Sequence, residues 1–281
     1  MNKNFLYKNI KLIVLDLDGT LLNDEGKIGE ETKRLIKELQ TRDVIFTFAS
    51  GRLHSALTVF AEELNITTPL ISLDGSFIKS HPGGDLIFES VIKAKYVSRA
   101  LAYAGDFLIN AALCHGDAIY YTESNAVIPQ IMDKFGAKYE LVSSYDKYSD
   151  RTLEIVLAGD NRNSMRYIEE RMMFPYCLGL STSFFNSHSQ EGISYLEIRR
   201  KGTSKGKGLM RLLKYFRLKP AESAVIGDWY IDITLFQTPA YKVAIANAVP
   251  EIKRMADQIT VRSNNQDGVA EFLESVLQSK K

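Results

Sequence analysis

Leu12-Ile13-Val14-Leu15-Asp16-Leu17-Asp18-Gly19-Thr20 decides the fold. Its first four residues are an unbroken apolar run, which suits a parallel strand covered by helices on both faces. Two carboxylates follow at i and i+2, where open α/β sheets place their ligands, at the carboxyl edge. With residue frequencies of roughly one in twenty, a chance Asp-x-Asp-Gly-Thr in such a chain is on the order of 10⁻³. The bland reading makes the pair the start of a polar turn, yet unpaired carboxylates beside a buried strand are costly. A calcium loop needs Gly at its sixth position, where Leu21 stands.

Outward from this stretch the same rhythm continues. Glu30 and Glu31 open a helical pattern with Leu35, Ile36 and Leu39 on one face. Val44–Ala49 reads as a strand, Ala56–Leu64 as a helix and Leu70–Leu73 as a third strand. This β-α-β-α-β order predicts a doubly wound parallel sheet, a Rossmann-like α/β fold. Phe77-Ile78 and Leu86-Ile87-Phe88 flank the turn-rich His81-Pro82-Gly83-Gly84-Asp85 and predict a hairpin. The signals then mix: strands at Ala118–Thr122 and Leu153–Leu157, helices near Val97 and Ser164. After Tyr195 the first rhythm returns, with a strand ending at Leu196–Ile198 and a helix over Gly206–Phe216. A strand at Ala224–Ile226, a helix at Ile231–Phe236, a strand at Val243–Ile245 and a helix from Asp267-Gly268-Val269 follow. The expected architecture is an α/β core from residues 1–88 and 190–281, with an α+β domain inserted at 89–189. Two crossings between domains make a natural hinge.

Bulk composition narrows the function without supplying one. The 281 residues suit one large domain or two ordinary ones, and 45% hydrophobic with 25% charged residues excludes a disordered or fibrous chain. Lys plus Arg number 35 against 34 for Asp plus Glu, a net of +1, so nothing global draws the chain to nucleic acid or an anionic membrane. Cys114 and Cys177 alone fit a reducing compartment. Lysines interrupt the start, Met1-Asn2-Lys3-Asn4-Phe5-Leu6-Tyr7-Lys8, before a signal-peptide core forms. No apolar run approaches the ~20 residues of a membrane span. A cytoplasmic protein, monomeric or a small homo-oligomer, is expected.

Four separated motifs carry the chemistry: Asp16–Thr20, Ala49-Ser50-Gly51-Arg52, Gly202-Thr203-Ser204-Lys205-Gly206 and Gly227-Asp228-Trp229-Tyr230-Ile231-Asp232. Alone, Ser50 reads equally as a helix N-cap and Lys205 as a solvated lysine at a helix start. A Walker-type loop is excluded, because its Gly-x-x-x-x-Gly-Lys-Ser/Thr spacing is absent. The ordered set, with Ile245-Ala246-Asn247-Ala248 and Asp267-Gly268-Val269-Ala270, resembles the haloacid dehalogenase-like phosphatases, in the Cof-type branch with a large inserted cap (subclass IIB).

The resemblance implies a Mg2+-dependent phosphomonoesterase working through an aspartyl-phosphate, on a small phosphorylated metabolite such as a sugar phosphate or phosphorylated cofactor. It implies Asp16 as nucleophile and Asp18 as general acid and base. Asp16, Asp228 and the backbone carbonyl of Asp18 are implied as Mg2+ ligands, hard oxygen donors that suit this ion. Ser50, Gly51 and Lys205 are implied to bind phosphate, Asp232 to orient Lys205 or a metal-bound water, and Asn247 to shape the same loop. Asn247 also reads as an ordinary turn asparagine.

Departures from the branch pattern are Ile231 in place of Asn, Leu235 in place of Met and Asp74-Gly75 in place of Asn-Gly. Ile231 removes a polar group expected near the metal, which weakens metal affinity or rate; the nucleophile, acid, lysine and metal aspartate all remain. Trp229 and Tyr230 read either as core or as an aromatic edge of the cleft, with packing favoured for at least one of them. His115, Tyr120, Tyr121 and Arg151 are polar cap residues of suitable type to reach a substrate, though each also fits an ordinary surface or packing role. Two alternatives stand beside hydrolysis. A phosphosugar mutase would need cap residues holding a second phosphate. A catalytically weakened metabolite sensor is the reading that Ile231 motivates. A transporter ATPase is excluded by the missing membrane helices.

Overall fold

The computed structural model describes residues 3–122, 138–186 and 192–280. The apolar run Leu12–Leu15 forms β1, in the interior of a five-stranded parallel sheet. β2 (Ile45–Phe48) pairs with one edge of β1, and β12 (Ser223–Gly227) with the other. β13 (Tyr241–Ala244) and β14 (Gln258–Ile259) extend the β12 side. Alternation along β1 explains its composition. Ile13 and Leu15 pack with Leu35, Ile36 and Leu39 of the helix Glu30–Gln40 and with Phe272, Leu273 and Val276 of the helix Gly268–Ser279. Leu12 and Val14, on the opposite face, are equally buried. A strand buried on both faces must be apolar throughout.

Two compact units divide the chain. The first comprises Met1–Gly51, Leu57–Ile87 and Ser204–Lys281; the second comprises Arg52–Ala56 and Phe88–Thr203. Residues 189 and 190 lie outside the described residues, but the core does not resume there: the expected strand ending at Leu196–Ile198 pairs within the sheet of the second unit, which runs on to Thr203.

β3 (Pro69–Ser72) joins the first unit in a way the rhythm alone does not show. It touches β2's end through a single parallel bridge, Ala49 to Ile71, with the Ser50 N–H donating to the Ile71 carbonyl at 2.9 Å. Hydroxyls replace the rest of the ladder, Thr47 Oγ1 donating to the Pro69 carbonyl at 2.6 Å. The full partner of β3 is β4 (Phe77–Ser80), antiparallel, and β5 (Leu86–Glu89) completes this small sheet, consistent with the expected hairpin.

In the second unit six strands run in the order β10-β11-β9-β6-β7-β8. They are β6 (Asn110–Cys114), β7 (Ile119–Tyr121), β8 (Tyr139–Leu141), β9 (Glu154–Gly159), β10 (Leu180–Asn186) and β11 (Ser194–Arg200). Leu113, Ile155, Leu157, Leu196 and Ile198 pack against Val97 and Ala100 of the helix Ala94–Asp106 and Met165 and Ile168 of the helix Arg162–Arg171. The mixed signals of this stretch are those of an α+β layer.

One predicted element is corrected. Over Ile231–Phe236 the chain makes a 3-10 turn, Tyr230–Asp232, and only then a short helix, Ile233–Phe236. The Asp232 carboxylate accepts the N–H groups of Asp228 and Trp229 at 3.1 and 3.2 Å, folding the turn back onto the strand end. Among the described residues no helix is long and apolar enough to cross a membrane.

Candidate active site

β1 lies between strands whose sequence numbers diverge, β2 on one side and β12 on the other, so their carboxyl ends form the crevice expected at a topological switch point. Asp16 leaves β1 with its N–H donating to the Ile226 carbonyl of β12 at 3.0 Å. Asp228 leaves β12, and Ser50 follows β2. Thr20 Oγ1 donates to Asp228 Oδ1 at 2.8 Å, tying the first motif to the fourth.

Lys205, the first residue of the helix Lys205–Phe216, is only 1% exposed. The solvated reading of this lysine therefore fails. Its Nζ donates to Asp16 Oδ1 and to Asp232 Oδ1, each at 2.7 Å. The neighbouring Gly206 explains how the lysine gets so deep: a Cβ there would lie 2.0 Å from the Thr234 carbonyl oxygen, so only glycine lets the two helices approach this closely. Gly19 is a second such point, with φ of 77° and room for no Cβ beside the Asp228 carboxylate.

Charge at this edge is unbalanced. Burial raises the Asp16 carboxyl well above the usual carboxylate range, and the nearby Asp232 raises it further while Lys205 opposes both. Asp228 is pushed up to about 6, first by burial and then by Asp232, against the hydrogen bond from Thr20. Burial alone would lower the Lys205 ammonium's pKa, but Asp16, Asp232 and Asp74 outweigh it and hold the lysine charged. Ligand oxygens of Asp16, Asp228 and Asp232 all lie within 4.8 Å of one another and all three residues are buried. Such a set of hard oxygen donors fits a divalent cation. Asp232 is already engaged through both oxygens, by Lys205 and by two backbone N–H groups, which leaves Asp16 and Asp228 better disposed as ligands.

The remaining expected residues surround this group. Asp18 is exposed, one residue past the buried Leu17. Ser50 is buried and does not cap a helix, because the next one begins at His54. Its carbonyl accepts the N–H of Asp74 at 3.1 Å, and a Cβ on Gly51 would stand 3.3 Å from Asp74 Oδ1. The Asp74-Gly75 turn is thus beside the second motif. Asn247 is more than a turn residue: its Nδ2 donates to the Gly19 carbonyl at 2.8 Å.

Of the two readings of Trp229 and Tyr230, the favoured one, packing in the core, does not hold. Trp229, Tyr230 and Ile231 are 52%, 49% and 49% exposed. The 3-10 turn that sends Asp232 inward to Lys205 sends these three outward. Within the second unit His115, Tyr120 and Tyr121 are buried and Arg151 is exposed. His115 Nε2 lies 2.8 Å from the Tyr148 carbonyl, and the Tyr120 ring stacks on Tyr148 at 4.1 Å, contacts of packing. Asn264, which the sequence reading passes over, donates from Nδ2 to the Leu22 carbonyl at 3.0 Å. Its only sequence signal is position, just before the Asp267-Gly268-Val269-Ala270 motif.

A model of the haloacid dehalogenase-like hydrolase family matches residues 13–273. The phosphatase YwpJ of Bacillus subtilis is 27% identical, the match covering 95% of this chain and 100% of the relative. An HMP-PP phosphatase of Serratia proteamaculans is 25% identical over 96% of each chain. The crystal structure of a Thermotoga maritima protein, 28% identical, superposes with a TM-score of 0.82 over 94% of this chain and 97% of its own.

Proposed function

Because the chain belongs to the haloacid dehalogenase-like hydrolases, we propose that it is a Mg2+-dependent phosphatase that hydrolyses a small phosphorylated metabolite. The observation that carries this reading is the buried Lys205 ammonium bonded to Asp16 and Asp232 beside Asp228. Three carboxylates facing one ammonium are short of positive charge, a deficit a divalent cation offsets. The phosphatase names of the relatives support the reaction class.

In this reading a carboxylate oxygen of Asp16 attacks phosphorus as the bond to the leaving oxygen breaks, giving an aspartyl-phosphate. Asp18, as the acid, gives its proton to the departing oxygen. As a carboxylate it then takes a proton from water, whose oxygen attacks the aspartyl-phosphate and releases inorganic phosphate and Asp16. Ser50 and Gly51 offer a hydroxyl and an N–H to the phosphoryl oxygens, and Lys205 offers positive charge. Asp232 holds Lys205 in place. Asp16, Asp228 and the backbone carbonyl of Asp18 would hold Mg2+, which supplies charge neutralisation and orientation when bound. The first unit, which carries these residues, is assigned to this chemistry, and the second unit to the choice of sugar phosphate or phosphorylated cofactor.

Asp16→Asn tests the reading. Mg2+-dependent release of phosphate from p-nitrophenyl phosphate should disappear, along with any acid-stable phosphoryl-protein adduct. Activity retained by this variant would sink the assigned nucleophile.

A further inference from the structure

We propose that Asn264, in the 3-10 turn before the last helix, is a positioning residue for Asp18. This rests on the reading of Asp18 as general acid and base. Segment 17–28 begins as one tight turn in which the Leu17 carbonyl accepts the N–H groups of Thr20, Leu21 and Leu22 at 3.2, 3.0 and 2.9 Å. Leu22 is bridged to Asp18 on one side and to Ile28 on the other. Asn23 N–H donates to the Lys27 carbonyl at 3.0 Å, closing a small hairpin. Leu22 is therefore the joint between the loop that carries the acid and the hairpin beyond it. The backbone of this turn therefore sets where the exposed Asp18 side chain begins.

Asn264 holds that joint from the far end of the chain. Its Nδ2 donates to the Leu22 carbonyl at 3.0 Å, and its own N–H donates to Asn247 Oδ1 at 3.0 Å. Asn247 in turn donates to the Gly19 carbonyl at 2.8 Å. One relay of amides thus fixes the carbonyl of the residue after Asp18 and the residue bridged to it. Asn265 secures the hairpin, accepting the Asp24 N–H and donating to Asp24 Oδ2, both at 2.9 Å. The 262–267 stretch is itself moored to the helix Glu30–Gln40: Arg262 pairs with Glu31 at 2.8 Å, and Asp267 accepts from Thr32 N–H at 3.1 Å and from the Thr32 hydroxyl. Amides suit the task, because they donate without adding charge beside three carboxylates. Asp16 has its own anchorage in the β1–β12 ladder. With Mg2+ saturating, so that any weakening at the Asp18 carbonyl is offset, loss of Asn264 therefore reaches leaving-group protonation while sparing nucleophilic attack.

The test is kcat/KM for aryl phosphates whose departing phenols differ in acidity, measured with Mg2+ on the full chain. A phenolate that leaves unaided needs no acid; phenol itself does. For Asn264→Ala, phenyl phosphate should lose about tenfold and 2,4-dinitrophenyl phosphate less than about twofold, a fraction of what general acids supply. In an Asp18→Asn background the same substitution should add no leaving-group dependence, since it acts through the missing acid. Equal losses across the series, or a dependence that persists without Asp18, overturn the proposal. If Asp18→Asn itself shows no leaving-group dependence, the assignment of the acid fails instead. Asn247→Ala alters an exposed side chain of the same relay and should show the same trend; it replaces Asn264→Ala should that variant not fold. A flat series for it then overturns the proposal.

Discussion

Each unit holds an ion cluster around a single cation, and the two are built in opposite ways. In the first, Lys205, Asp16 and Asp232 come from three separate segments at strand ends and a helix start, with Asp228 beside them. In the second, Arg199 Nε and Nη2 donate to Glu154 and Glu197 at 2.6 and 2.8 Å. Arg199 and Glu154 are direct cross-strand partners on β11 and β9, and Glu197 lies two residues away on Arg199's own strand. The second cluster is local to one sheet, where a guanidinium fork binds two acids with little freedom to lose. The first brings remote groups together and sets three carboxylates around one ammonium, against two around the guanidinium of the second. A buried ion cluster is by itself weak evidence of function. Deeply buried charge assembled from distant segments is the better sign.

The strongest way to break this contrast is Lys205→Ala. Phosphatase kcat should fall by about 10²- to 10³-fold, the range for removing a donor aimed at developing charge. The fold should weaken by about 3–5 kcal/mol as well, because buried carboxylates lose their cation. Steady-state kinetics and denaturant melts would measure both; a stable variant of normal kcat would make the first cluster as structural as the second. Glu154→Gln should strike only stability, by about 1–3 kcal/mol, as Arg199 loses a charged acceptor. Its kcat for p-nitrophenyl phosphate per folded molecule should stay within about threefold, and a larger drop would erase the distinction.

The subtlest effect is in pH. Asp228 has a folded pKa raised to about 6, so the folded, metal-free protein binds a proton more readily than the unfolded chain does. Its contribution to stability is greatest below the ordinary carboxylate range and declines as pH rises through about 6. Melting in EDTA should therefore shift downward between about pH 5 and pH 8 on account of this site. Added Mg2+ should raise the melting temperature more at the higher pH, because it binds the ionised form. A Mg2+ shift independent of pH would remove Asp228 from the ligand set.

The contrast also shows what sequence makes legible. β1 and the two aspartates after it are readable because an apolar run and a charged turn are both local patterns. The other three motifs are readable as strand ends and a helix start. Lys205's burial is not, since nothing local says that Gly206 will let its helix approach Thr234. Trp229 and Tyr230 look like core residues beside a strand, and only the fold of the Asp232 turn turns them outward. Asn264 is least visible, for its partners Leu22 and Asn247 lie at other places along the chain. β14, two residues long, has no room for a periodic signal.

The position of β1 inside its sheet has a consequence for how the protein is made. A ribosome delivers β1 and β2 early, and the pair can close at once, Leu12 against Ile45. The other edge of β1 waits for its partner, because Leu12 aligns there with Ser223. Until that strand emerges, the nascent chain carries an unpaired apolar edge of the kind that invites association with other chains. The second unit, whose strands all lie between residues 110 and 200, is delivered complete within that interval. The edge that carries the proposed site is therefore among the last parts of the molecule to be assembled, and a chain released before its final hundred residues would hold Asp16 with neither Lys205 nor Asp228 beside it.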